Sequence, residues 1–97
     1  MKIENTAVAG TLESSDVQIM ISEGKEGITI DLESQVLEQF GRQIKQVILD
    51  TLTAYDITDA QLKVVDKGAL DCVIKARLTA AIHRSLGIQH KETPWEV

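Results

Sequence analysis

Residues 17–32, VQIMISEGKEGITIDL, decide the fold that the sequence predicts. Two runs in which apolar residues alternate with mainly polar ones flank a short segment, 23–27, that contains two glycines. The apolar positions are Val17, Ile19, Ile21, Ile28, Ile30 and Leu32. Alternation with a period of two is typical of strands that bury one face, and Gly24 and Gly27 can adopt the positive φ of a tight turn. The stretch therefore predicts a β-hairpin.

The apolar period lengthens to three and four residues after this stretch, which indicates a long amphipathic helix. Its apolar stripe consists of Leu37, Phe40, Ile44, Val47, Ile48 and Leu52. Ser34 is the expected N-cap, and Glu38 would lie favourably at the positive end of the helix dipole. Gly41 lies inside this helix, where a close approach to the sheet would account for the missing side chain.

Two further elements follow the helix. The apolar residues within 62–65 indicate a third strand, and residues 70–86 favour a second helix that stops at Gly87. A short strand through Cys72, before that helix, is an open alternative.

These elements predict an α+β fold for one domain, residues 1–97, in the form of a small two-layer sandwich. An antiparallel, hairpin-based sheet would pack against two helices. Residues 1–10 would form a loose arm or a short edge strand, and the polar tail 88–97 is expected to be poorly ordered unless it docks on a partner.

The composition excludes several classes of function. The chain has 97 residues, with ten Lys and Arg against fifteen Asp and Glu, and a net charge of −5. Because there is no basic stripe, we do not expect it to bind nucleic acid. One cysteine cannot form an internal disulfide, and no long apolar segment predicts a signal peptide or a membrane span. A cytoplasmic protein is therefore expected.

Two adjacent hydroxyl groups distinguish residues 9–16, AGTLESSD, from the rest of the chain. The segment is small, polar and acidic, so we expect an exposed turn whose short side chains bond to their own backbone. No histidine lies nearby in the sequence to activate Ser14 or Ser15 as a nucleophile. From the residues alone, a modification site and a plain solvated turn both stay open.

A second stretch, residues 67–77 with the sequence KGALDCVIKAR, adds to this pattern. Together with AGTLESSD it resembles the acyl carrier protein (gamma chain) family of citrate lyase, and the resemblance extends over nearly the whole chain. In that family the first serine of the pair carries 2′-(5″-phosphoribosyl)-3′-dephospho-CoA through a phosphodiester. The resemblance assigns this position to Ser14, with Ser15 as its unmodified neighbour.

The resemblance implies a carrier subunit without an active site of its own, in a hetero-oligomeric lyase. The alpha chain, an acyl transferase, would exchange the carrier's acetyl group for citrate, and the beta chain, a citryl lyase, would cleave the citryl thioester to oxaloacetate. A prosthetic-group transferase (holo-carrier synthase) would load Ser14. Two alternatives stay open: the carrier subunit of malonate decarboxylase, which bears the same kind of group, and an unmodified scaffold for partner subunits.

Other residues that could carry chemistry have simpler explanations. Cys72 is a lone cysteine without metal-ligating neighbours, and we expect it to be a packing residue. His83 and His90 are expected at the surface, and their spacing supports neither a metal site nor acid–base catalysis.

Several charged and aromatic residues suggest contacts. Glu13 and Asp16 flank the serine pair, either for recognition by a basic surface or only to keep the turn in solvent. Arg77 could pair with Asp71 or with another acid across the sandwich. Trp95, in the tail, is a candidate anchor for a partner.

Overall fold

The computed structural model describes residues 3–87, which form four strands and two helices. In chain order they are β1 (Ala7–Gly10), β2 (Val17–Glu23), β3 (Ile28–Ser34), α1 (Leu37–Ala54), β4 (Ala60–Asp66) and α2 (Asp71–Leu86). The expected α+β fold, one sheet packed against two helices, is confirmed. The tail 88–97, for which we expected poor order, lies outside the described residues. No helix within residues 3–87 is long and apolar enough to span a bilayer.

The sheet is mixed, whereas the sequence predicts an antiparallel one. The strand order is β1-β2-β4-β3, in which β2 is antiparallel to β1 and β4, and β3 runs parallel to β4. The predicted hairpin between β2 and β3 is therefore wrong, because β4 lies between them. Glu23 at the end of β2 and Ile28 at the start of β3 both face Ala60 of β4, so the link between them crosses over this residue.

Close contact at the crossing explains one glycine of the link. A Cβ atom on Gly24 would lie 2.3 Å from the backbone nitrogen of Ala60, so any side chain would collide with the start of β4. Gly27 has φ of 74°, and its carbonyl accepts a hydrogen bond from the Ala60 N–H at 3.1 Å. The two glycines thus serve a crossing between strands that are not neighbours.

One face of the sheet forms the core with the helices. The inward residues of β2, predicted from their alternation, and those of β4 are buried together with apolar residues of both helices. This core includes Val17, Ile19, Ile21, Ile44, Ile48, Leu52, Leu62, Val64, Ile74, Leu78 and Ile82. Burial of this apolar surface is the main force that holds the two layers together.

The first helix starts later than predicted. Ser34 is the last residue of β3 and not an N-cap; its hydroxyl accepts a hydrogen bond from the Val36 N–H at 3.1 Å. Helix α1 has no side-chain N-cap, although Glu38 lies in its first turn as expected. Leu37 and Phe40, which the period assigned to the buried stripe, are 45% and 46% exposed because they lie beyond the edge of the core.

Two smaller predictions have opposite outcomes. A Cβ atom on Gly41 would lie 2.8 Å from Leu37 Cδ1, which belongs to the same helix. The predicted close approach of Gly41 to the sheet is therefore wrong.

Helix α2 ends as predicted at Gly87, which has φ of 69° and donates its N–H to the His83 carbonyl. The alternative strand through Cys72 is excluded, since Cys72 lies in the first turn of α2. The edge strand expected within residues 1–10 is β1.

The second face of the sheet is open: no helix within residues 3–87 packs on it, and we call it the open sheet face. Cross-strand rows place Val8 beside Met20 and Met20 beside Lys63. A second row places Gln18 beside Val65. Val8 and Met20 are 42% and 38% exposed.

Candidate functional site

The loop between β1 and β2 contains the serine pair, at the tip of a tight turn. The Asp16 N–H donates to the Glu13 carbonyl at 3.1 Å, which makes Ser14 and Ser15 the two central residues. Ser15 has φ of 66°, whereas Ser14 has a negative φ. A positive φ at the third residue is the pattern of a type II turn, and glycine is the usual residue there. Ser15 therefore occupies a position where small side chains are favoured on backbone grounds.

The turn is joined to β4 by a bulge. The Ser15 N–H donates to the Lys67 carbonyl at 2.8 Å, and the Lys67 N–H donates to the Asp16 carbonyl at 2.9 Å. Ser15 and Asp16 thus both face Lys67, the residue that follows β4. Ser15, the first of the two, is in the left-handed region, as in a G1 bulge. The bulge fixes the serine turn to the segment that links β4 and α2.

Asp16 ties the same turn to α2. Its carboxylate accepts hydrogen bonds from Arg77 Nε at 3.0 Å and Nη2 at 3.1 Å, from the Thr11 hydroxyl at 2.6 Å, and from the Val17 N–H at 2.7 Å. The hydrogen bonds from Arg77, and then those from Thr11 and Val17, hold the pKa of Asp16 well below its ordinary value. Bidentate pairing of this kind fixes orientation as well as charge.

These contacts answer two questions that the sequence leaves open. Asp16 is an internal anchor of the turn, with a side chain only 13% exposed, so it does not present a free carboxylate to a basic partner. Arg77 pairs with this acid and not with Asp71, which accepts a hydrogen bond from Gln43 Nε2 at 2.8 Å. Glu13 is exposed, and both explanations for it stay open.

A buried carboxylate supports the segment on the other side of the bulge. Asp66 is 2% exposed; its Oδ2 accepts from the Ser34 hydroxyl at 2.8 Å, and its Oδ1 accepts from the Ala69 N–H at 2.9 Å. The ends of β3 and β4 and the start of the link to α2 therefore meet at one side chain. Sequence reasoning missed Asp66, because an acid at the end of a strand does not indicate burial.

The Ser14 side chain is exposed, and its hydroxyl makes no hydrogen bond with any residue that the structure describes. The histidine within residues 3–87, His83, is buried against Tyr55, whose hydroxyl is hydrogen-bonded to His83 Nε2. Our prediction of a surface position for His83 is therefore wrong. Because this imidazole is engaged in the core, it is not available as an exposed base. The geometry suits a hydroxyl that another enzyme modifies.

The remaining candidates do not form a site. Cys72 is an exposed free thiol, so the expectation that it packs in the core is wrong. Cys72 lies in the first turn of α2 and lines an open surface groove, which accounts for the exposure. His90 and Trp95 lie outside the described residues. Within residues 3–87 no group of three His, Cys, Asp or Glu side chains could hold a metal ion.

Two grooves lie on either side of the segment that follows β4. The first, the helix-side groove, has a volume of about 570 Å³ and includes Phe40, Asp66, Leu70, Asp71 and Cys72 in its lining. The second, the sheet-side groove, lies on the open sheet face and has a volume of about 550 Å³. Its lining includes Val8, Leu12, Met20, Lys63, Val65 and Lys67. Ser14 lines neither groove, and because it is exposed, a bulky group on it would displace no buried side chain.

Comparison with known proteins assigns the chain to a family. A sequence model of acyl carrier proteins, described as the malonate decarboxylase delta subunit, matches residues 4–85. The citrate lyase acyl carrier protein of Oenococcus oeni is 56% identical over 97 residues, which cover 100% of this chain and 99% of that protein. The proteins of the same name from Lactiplantibacillus plantarum and Lactobacillus acidophilus are each 58% identical, over 98 and 91 residues. The alignments cover 100% of this chain and 99% of the first protein, and 94% of this chain and 94% of the second. The chain belongs to the citrate lyase acyl carrier protein family.

A solved structure shares the fold of this citrate lyase acyl carrier family member. A chain of a Pseudomonas malonate decarboxylase hetero-tetramer in complex with malonate superposes with a TM-score of 0.75, over 87% of each chain. The sequence identity is 16%, so the likeness concerns the fold alone. The same mixed sheet with two helices therefore occurs at low sequence identity.

Proposed function

We propose that this chain is the acyl carrier subunit of citrate lyase and that Ser14 is the residue to which 2′-(5″-phosphoribosyl)-3′-dephospho-CoA is attached. The observation that carries the proposal is the exposed Ser14 hydroxyl, without a hydrogen-bond partner among residues 3–87, on a turn that is fixed to both β4 and α2, in a chain of this family. When bound, the group would supply a thiol that holds acetyl and citryl groups while citrate is cleaved to acetate and oxaloacetate.

The residues of this chain act as a mount for that group. The Ser14 oxygen would form one ester of the phosphodiester, and the bulge at Lys67 together with the Asp16–Arg77 pair would hold the attachment point in one orientation. Tethering confines the thiol near the active sites of partner chains at an effective concentration of about millimolar. The carrier needs no acid or base of its own, and the chemistry would take place on the alpha and beta chains of a hetero-oligomer.

Two partner classes follow from the proposal. A prosthetic-group transferase must reach the Ser14 hydroxyl, and the alpha and beta chains must reach the thiol. The cytoplasmic location expected from the sequence stays a prediction.

Peptide mapping by mass spectrometry tests the attachment. The chain is expressed together with its transferase, and the peptide that contains Ser14 and Ser15 is expected to gain the mass of the group. Ser14→Ala should abolish the added mass and the turnover of the assembled lyase, but leave unfolding unchanged, since an exposed hydroxyl contributes little to stability. Ser15→Gly is the matched control, because glycine accepts the positive φ of that position, and it should retain the added mass.

Attachment at Ser15, or no added mass on the wild-type peptide, would contradict the proposal. The second outcome would favour an unmodified scaffold.

The carrier subunit of malonate decarboxylase is the second candidate. The matching sequence model is described by that enzyme's delta subunit, and the shared fold occurs in a malonate decarboxylase hetero-tetramer. The relatives at 54–58% identity favour citrate lyase. An assay of the loaded carrier with each set of partner chains separates the two: we expect turnover of citrate and none of malonate.

A further inference from the structure

The sheet-side groove is a largely apolar surface whose lining includes Leu12, from the loop that contains Ser14. Its floor contains Val8, Met20 and Val65, from three adjacent strands, and Leu12 of the serine loop lies at its end. Leu12 is 55% exposed, although it belongs to a turn that is otherwise polar. Lys67 lines the same groove and accepts the Ser15 N–H through its carbonyl. The groove and the proposed attachment point thus share one loop.

Charge distinguishes this groove from its neighbour. The sheet-side groove contains Lys63 and Lys67, and neither ammonium group has an ion-pair partner within residues 3–87. Glu33 also lines it, and Asp31 faces Lys63 across the strands. Lys67, whose backbone is hydrogen-bonded to Ser15 and Asp16, is the lysine of this groove that is nearer to the serine turn, and Arg77 is already engaged by Asp16. The helix-side groove, among its described lining, has two carboxylates, Asp66 and Asp71, and no Lys or Arg. An anionic group would be attracted to the first groove and repelled by the second.

Resting on the proposed function, we propose that the sheet-side groove binds the nucleotide portion of the group attached to Ser14, with its phosphates toward Lys67 and Lys63 and its base against Leu12, Met20 and Val65. The ligand class is a covalently tethered adenine nucleotide. The groove volume of about 550 Å³ lies within the range of small-molecule sites. The open sheet face would then be the surface on which the attached group rests between reactions.

Weak intrinsic affinity is sufficient for this role. A short tether gives an effective concentration of about millimolar, so a groove with a dissociation constant of about millimolar would be occupied about half of the time. One or two screened ion pairs and a partly buried base are enough for affinity of this order. Weak binding also allows the attached group to leave the groove and enter the active sites of partner chains.

Backbone amide NMR shifts of the unloaded and loaded chain test the proposal without an activity assay. Attachment is first established by intact mass. We then expect shift changes not only in the serine loop but also at Val8, Met20 and Val65, on strands β1, β2 and β4. Phe40 and Cys72, in the helix-side groove, should not shift.

A charge-reversal pair provides the matched control. Lys67→Glu should reduce the shift changes at Met20 and Val65 by at least half, and so should an increase from about 50 mM to about 500 mM NaCl, since salt screens exposed charges. Lys25→Glu, in the β2–β3 link at the other end of the sheet, should leave them unchanged. If Lys67→Glu does not fold, Lys67→Gln replaces it with a smaller effect expected.

Each outcome has one meaning. If Ser14 is loaded and the shift changes are confined to residues 11–16, the attached group does not bind the chain. Shift changes at Phe40 and Leu70 would place the group in the helix-side groove. Both results overturn this proposal and leave the proposed function intact. Absence of any added mass overturns the proposed function and this inference with it.

Discussion

At the scale of single residues, the two serines of the turn have different roles despite their identical chemistry. Ser14 is exposed and makes no described hydrogen bond, whereas Ser15 is defined by its φ of 66° and by its N–H bond to Lys67. The sequence predicted an exposed turn at this point, because short polar side chains favour one. It could not distinguish the serines on physical grounds, since φ depends on the bulge with a residue that is distant in the chain.

The positive φ of Ser15 predicts how substitutions there affect stability. Ser15→Val should lower the free energy of unfolding by about 1–3 kcal/mol, because a β-branched side chain in the left-handed region is strained. Ser15→Gly should change it by less than about 1 kcal/mol, since relief of strain offsets the greater entropy of the unfolded chain. Urea unfolding of both variants beside the wild-type chain measures the difference. Equal stability of the Val and Gly variants would contradict the assigned turn.

At the scale of elements, local periodicity located the strands and helices but not their pairing. Alternation identified β2 and β3, the apolar residues within 62–65 identified β4, and the three- to four-residue period identified both helices, as the structure confirms. The hairpin prediction failed because pairing depends on which strand fills the position next to β2, and β4 comes from beyond α1. In the sequence, the two glycines of the link are compatible with a tight hairpin turn and with a crossing over β4. The close contact of Gly24 with Ala60 in the structure shows why the crossing needs a glycine there.

Gly24 and Gly41 are both buried, and we expect them to respond differently to substitution by alanine. Gly24→Ala should cost about 1–3 kcal/mol in unfolding free energy, since the new Cβ meets backbone atoms of Ala60 that cannot move aside. Gly41→Ala meets only the flexible, half-exposed Leu37 side chain and gains helix propensity of about 1 kcal/mol, so it should be neutral or stabilising. Thermal and urea unfolding of the pair checks this. A harmless Gly24→Ala would mean that the link does not approach β4 so closely.

At the scale of the whole molecule, the site is assembled from parts that are far apart in the sequence. Arg77 and Asp16 are 61 positions apart, and Ser34 and Asp66 are 32 apart. The resemblance of residues 9–16 and 67–77 to one family indicated that both stretches matter, but not that they meet. The structure joins them through the bulge at Lys67 and through the Asp16–Arg77 pair. The serine turn is therefore expected to lose its fixed orientation when α2 detaches.

This coupling predicts a pH dependence of global stability. The pKa of Asp16 is lower in the folded chain than its ordinary value of 3.8, so the folded state favours the ionised carboxylate. Its stabilising contribution is fully present above pH 4 to 5 and is lost as the pH falls below 3.8 toward the lowered pKa, since the unfolded chain binds the proton first. Asp16→Asn should be less stable than the wild-type chain at neutral pH, and the difference should shrink between about pH 4 and pH 2. Urea midpoints across this range measure it, with Asp50→Asn on the exposed side of α1 as the control. A difference between Asp16→Asn and wild type that stays constant down to pH 2 would show that the Asp16–Arg77 pair does not favour the ionised carboxylate.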